Sequence, residues 1–164
     1  MLFRSARAVI EGGAPTLDEA RIGAMVAVRM KRQAEIMHRD PPVRLSVILG
    51  EQVLSIRVGG AAVMRGQLAH LAAVAQRPNV DIRVLRIGGP AHPGMKGSFR
   101  ILSYPEPDNP PIVYVDTPIG GRWEQRPADV LRLQEDFAVL SSMALAPHDS
   151  IDRMTGYADR KSVV

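Results

Sequence analysis

Arg77–Asp116, RPNVDIRVLRIGGPAHPGMKGSFRILSYPEPDNPPIVYVD, decides how this chain folds. It holds three runs rich in β-branched residues: Val80–Ile87, Ser98–Tyr104 and Ile112–Asp116. A Gly/Pro/His loop parts the first two, and a Pro/Asp/Asn loop parts the second two. β-branched side chains suit the pleated, half-buried surface of a sheet, whereas Gly, Pro, Asn and Asp suit the turns between strands. The stretch therefore predicts three successive strands, the central meander of a small mixed sheet.

Working outward, Arg44–Leu49 reads as a short buried strand closed by Gly50. Glu51–Val58 fits either one helical turn or an extended connector. After the break at Gly59-Gly60, Ala61–Gln76 carries Met64, Leu68, Leu71 and Ala75 on one helical face. Strand, helix and strand in that order predict a βαβ unit with parallel strands and a right-handed crossover. Upstream, Leu17–Arg39 is a predicted helix. Thr16 and Glu19 supply a capping box, and Ile22, Met25, Val26, Met30 and Met37 supply an apolar stripe. Asp40-Pro41-Pro42 ends it, because proline disfavours helical geometry in the residue before it. Downstream, Thr117–Pro127 is a further edge strand or a structured loop. Pro127 then opens a helix running to about Leu145, Pro147 stops it, and Ser150–Tyr157 begins a last helix. The expected fold is α/β (α+β), a single domain in three layers. Its mixed four- to five-stranded sheet has one βαβ crossover, with the Leu17 and Pro127 helices packed against it.

Composition narrows the class. At 164 residues the chain is long enough for a core that needs neither metal nor disulfide. No apolar run approaches a membrane span, and MLFRSARAVIEGG lacks the apolar centre of a signal peptide. The absence of cysteine excludes a disulfide framework, a thiol nucleophile and a thiolate metal site. These features set the expectation of a cytoplasmic protein.

Both ends read as foreign. Asp159–Val164, DRKSVV, is what GATCGGAAGAGCGTCGTG encodes, the start of a common sequencing-library adapter. Met1–Ser5, MLFRS, fits GTGCTCTTCCGATCT, the end of the opposite adapter, when GTG is read as a start. Ala6–Ala158 is then the expected genuine protein, a piece of a longer gene. Without those ends the chain loses three basic residues and one acidic one, which lowers its net charge from +4 to +2. That is weak support for a polyanion partner.

The search for chemistry yields little. None of His38, His70, His92 and His148 stands four residues from another, so no zinc motif is present, and no metal or cofactor is expected. No Walker loop, dinucleotide fingerprint or G-x-S-x-G elbow occurs either. His92 and Gly94 sit in a loop whose glycines permit close backbone approach to a ligand, or merely fix a tight strand connection. Asp116 ends a strand and could pair with His92. No DNA-reading helix-turn-helix is found within these residues.

Ordered motifs give a resemblance over nearly all of Ala6–Ala158. They are Ala6-Arg7-Ala8, Arg29-Met30-Lys31-Arg32-Gln33 leading to Asp40-Pro41-Pro42, and Leu45–Glu51 followed by Val58-Gly59-Gly60. Then come Met64-Arg65-x-Gln67-Leu68, Arg77-Pro78-Asn79-Val80, Ala91-His92-Pro93-Gly94 and Val113-Tyr114-Val115. Their order is similar to the domain of unknown function that follows an Xre-type helix-turn-helix in the Scr family of antitoxin-like transcriptional regulators. Asp116, Gly120-Gly121 and Trp123 match the family's next loop only loosely. The family's DNA-binding half is missing here, so DNA would be met only through that absent N-terminal domain. The resemblance implies a regulatory domain that binds a small protein partner or a ligand, and it supplies no catalytic residues. The expected receiving surface is the Gly88–Gly97 loop with the Asp116–Trp123 segment, centred on His92, Gly94, Asp116 and Trp123. A small hydrolase-like enzyme using His92 and Asp116 is the alternative, and homodimerisation alone a third option.

Overall fold

The computed structural model describes residues 2–117 and 120–160. They form a mixed α+β architecture that divides into two compact units. The first unit combines the chain up to Ile87 with the chain from Leu145 onward, and the second is Gly88–Ala144.

The first unit opens with α1 (Leu2–Gly13) packed against α2 (Glu19–His38). Ile10, Ile22 and Val26 bury together, with Leu17 and Met30 beside them. Helix α1 has no counterpart in the sequence reading. Ala6 and Ile10, one turn apart, form its buried face. The cap of α2 also differs from the expected Thr16–Glu19 box. The turn after α1, closed by the Leu17 N–H on the Ala14 carbonyl, takes up Thr16. Asp18 is the cap instead, its carboxylate accepting the Arg21 N–H at 2.8 Å. Met25, expected on the apolar stripe, is 48% exposed.

Strand β1 (Leu45–Gly50) pairs in parallel with β2 (Val80–Leu85), from Leu45 opposite Val80 to Gly50 opposite Leu85. Between them lie the single turn α3 (Gln52–Ser55) and helix α4 (Ala61–Val74). Helix α6 (Pro147–Arg160) packs on α4 and β2. Leu54, Leu68, Val84 and Met154 are almost wholly buried in this core, and Leu45, Val47 and Leu49 pack against it. Each such side chain contributes roughly 1.5–3 kcal/mol of hydrophobic stabilisation.

The ladder runs from the Leu45 N–H on the Asn79 carbonyl to the Glu51 N–H on the Leu85 carbonyl. Parallel strands alternate, so odd-numbered residues of β1 bond β2, while Ser46, Ile48 and Gly50 aim their backbone groups away from it. On β2 the outward-facing residue Val84 is already satisfied. Its N–H donates to Ser150 Oγ at 3.0 Å, and its carbonyl accepts the Leu145 N–H at 2.9 Å.

That closure gives a physical reason for a correction. The five strands do not form one four- to five-stranded sheet; β1 and β2 form one sheet, and the later three strands form another. In the second unit β3 (Phe99–Leu102), β4 (Ile112–Thr117) and β5 (Gly120–Glu124) are antiparallel in that order. Helix α5 (Pro127–Met143) packs on β3, β4 and the 3-10 turn Pro93–Lys96. Within its own unit α2 packs mainly on α1, and Met37 near its end packs against the βαβ core. Of the ends read as foreign, Met1 and residues 161–164 lie outside the described residues, as do Pro118 and Ile119.

Candidate functional site

Register in the second sheet decides which side chains share a face. Directly opposed residues of antiparallel strands point the same way, and alternate residues point oppositely. Arg100 opposes Tyr114, which opposes Trp123, and Asp116 opposes Gly121. Arg100, Leu102, Ile112, Tyr114, Asp116 and Trp123 therefore lie on one face. Val113, fully buried, lies on the other with Phe99, Ile101 and Val115.

The first face is exposed and aromatic. Trp123 is 55% exposed and meets Tyr114 edge-on, with ring centroids 4.9 Å apart. The Arg100 guanidinium stands 5.2 Å from the Tyr114 ring centre, close enough for a cation–π contact. Gly121 makes room for that ring, since a Cβ there would fall 1.8 Å from the tyrosine Oη. Asp116 accepts from Ser98 Oγ at 2.9 Å and pairs with Arg100 at 3.2 Å. At the end of β5 Glu124 turns the chain into α5. Its carboxylate accepts the N–H groups of Arg126 at 3.0 Å and Gln125 at 3.1 Å. Chiefly the Arg126 N–H, opposed by partial burial and helped by the Arg126 side chain, holds this carboxyl below its usual range.

His92 and Gly94 belong to a different environment from Asp116 and Trp123. A Cβ on Gly94 would press on His92 Nδ1 at 3.2 Å and on Leu140 Cδ2 of α5 at 3.3 Å, so glycine permits tight packing there. His92 Nδ1 is buried without a hydrogen-bond partner. No hydrogen bond or ion pair joins His92 to Asp116, the contact on which a hydrolytic reading depends. Ser98 donates straight to the carboxylate with no imidazole between them. The exposed apolar group of this loop is Met95, at 70%.

Sequence reasoning singled out Asp116 and Trp123 but left Arg100 and Leu102 unmarked. The alternation Arg100-x-Leu102 against Ile112-x-Tyr114-x-Asp116 would have grouped them had the register been known. It also missed a buried ionic cluster in the first unit. Glu51 accepts from Arg153 Nε at 2.5 Å, from Tyr157 Oη at 3.1 Å and from the Ile87 N–H at 3.0 Å. His148, Asp149 and Asp152 bring three ligand atoms within 4.8 Å of one another, all exposed in the first two turns of α6. Carboxylates there also suit the positive end of the helix dipole. Two hollows, of about 180 and 480 Å³, are lined by residues of the first unit and include none of the four expected site residues. No helix among the described residues is long and apolar enough to cross a membrane.

Fold and site together define an α+β protein of two units whose second sheet presents an arginine–tyrosine–tryptophan face to solvent. The chain belongs to the family described as "Domain of unknown function (DUF5753)", whose model matches residues 4–156. No curated protein and no solved structure matches it.

Proposed function

We propose that this chain is the regulatory C-terminal part of an Xre-type helix-turn-helix regulator similar to the Scr family, receiving a small protein partner on the exposed β3–β5 face. The motif resemblance supports the class, and one observation carries the surface: Trp123 stands in solvent, braced by Tyr114 with Arg100 alongside. Trp, Tyr and Arg dominate the energetics of protein interfaces: Trp and Tyr bury much area from two rotatable bonds and keep a polar handle, and Arg adds a planar fork of donors. A partner that covers this face desolvates Trp123 and the Arg100–Asp116 pair together. Its arrival would then control DNA binding by the helix-turn-helix domain that this reading places ahead of the chain.

The test uses the only tryptophan as its own probe. The resemblance implies a partner encoded by a small neighbouring gene, so the probe protein is the product of such a gene where the locus carries one. Titrating it should shift Trp123 emission to the blue. Trp123→Ala, at an exposed position, should raise Kd about tenfold or more in calorimetry with the melting temperature unchanged. Loss of binding in His92→Ala but not Trp123→Ala would move the surface to the Gly88–Gly97 loop. Absence of both heat and emission change would reject the proposal.

A further inference from the structure

Arg100, Tyr114 and Trp123 are directly opposed across β3, β4 and β5, so their side chains stand in one row across the strands. Two strand spacings make that row about 9.6 Å long. Its charge is cancelled within the face, because Asp116 pairs with Arg100 and also accepts from Ser98 Oγ. Among the described residues, neither the indole N–H of Trp123 nor the hydroxyl of Tyr114 holds a hydrogen bond. The Arg100 guanidinium keeps N–H groups beyond the nitrogen that faces Asp116. The row is therefore neutral, aromatic and richer in donors than in acceptors.

We infer that this row takes a proline-rich segment of the partner protein, held in polyproline II conformation and lying across the strands. The inference rests on the proposal that this face is the receiving surface, and it names the chemistry received there. Proline has no backbone N–H but keeps its carbonyl, so such a segment brings acceptors without donors that need partners of their own. One polyproline II turn advances about 9.3 Å in three residues. That length matches the row: residue i packs on the Trp123 indole, and residue i+3 reaches Arg100. The two rings contribute flat apolar area, and the segment arrives already extended, with little chain entropy left to lose.

Electrostatic complementarity separates this occupant from its rivals. An acidic segment or a nucleic-acid backbone calls for an uncompensated cation, and the charge of Arg100 is already met by Asp116. The hydroxyls of a sugar must donate as well as accept, and acceptors are scarce in this row. Residues 105–111 of a second copy, PEPDNPP, are also proline-rich, but Glu106 and Asp108 carry charge that a neutral row does not reward.

Titrating the 164-residue chain with an end-blocked proline octamer should shift Trp123 emission and saturate, with a Kd that salt leaves unchanged. An end-blocked glycine–serine octamer, with the same carbonyls but free N–H groups, should leave the emission where it is. Calorimetry should show the Kd for the proline octamer raised about tenfold or more in Trp123→Ala. In Trp123→Phe, which keeps a ring and loses the N–H, it should rise about two- to tenfold. Circular dichroism should hold in both variants. An equal response to the two octamers overturns the inference. So does tighter, salt-sensitive binding of a glutamate octamer, which would give the row to an acidic segment. Self-association without peptide that Trp123→Ala abolishes would hand the row to residues 105–111 of a second copy, and also overturns it. A partner protein that shifts Trp123 emission while the proline octamer does not defeats this inference and leaves the receiving surface standing. Silence from both removes the two together. Should the variants fail to fold, the contrast between octamers on the wild type decides.

Discussion

Glu51 is 2% exposed, yet its carboxylate collects Arg153, the Tyr157 hydroxyl and the Ile87 N–H. Burial pushes this carboxyl upward, but the three donors and the arginine's charge outweigh it, so the net pKa lies below the ordinary 4.5. A carboxyl lowered in the folded state adds stability above its ordinary range, and that stability is lost as pH falls through the lowered value. Glu51→Gln should cost about 1.5–3 kcal/mol at neutral pH, because charge-assisted bonds are lost. The gap between wild type and variant should shrink by about pH 3, read as urea midpoints at the two pH values. This cluster was illegible in the sequence because its partners lie 102 and 106 residues from Glu51. Trp123 was legible because a lone tryptophan in a Gly-rich turn draws notice. The Arg100–Tyr114 contact required the register.

Strands and helices were legible where punctuation was strong. Gly50, Gly59-Gly60, Arg77-Pro78-Asn79 and Pro127 all bound elements close to where the sequence places them. Strand partnership was harder to read. Three consecutive β-branched runs suggest one meander, but β2 is closed on its outer edge by a serine 66 residues away. Helix α1 escaped notice because its buried face rests on little more than Ala6 and Ile10. Ser150 is fully buried, accepting from Val84 and donating to the Ala146 carbonyl at 2.9 Å. Ser150→Ala leaves the Val84 N–H without a partner and should destabilise the first unit by about 1–3 kcal/mol. Urea denaturation followed by far-ultraviolet circular dichroism measures it, and a change within a few tenths would mean that the hydroxyl does not close this edge.

At the scale of the whole chain, the division into two units predicts that core damage stays local. Leu68, 1% exposed, belongs to the first core, and Trp123 belongs to the second unit. Leu68→Ala should cost about 2–5 kcal/mol in the transition seen by circular dichroism. The Trp123 emission midpoint should hold, and the two probes should cease to coincide. A common shift in both would join the units into one cooperative block. The order of the chain has its own consequence. Gly88–Ala144 interrupts the first unit, and Met154, which fills that unit's core, follows the interruption. A ribosome delivers residues in sequence, and domains generally fold as they emerge. The later-made insert is therefore complete while the earlier-made part still awaits its closing helix, so the half begun first is the half finished last.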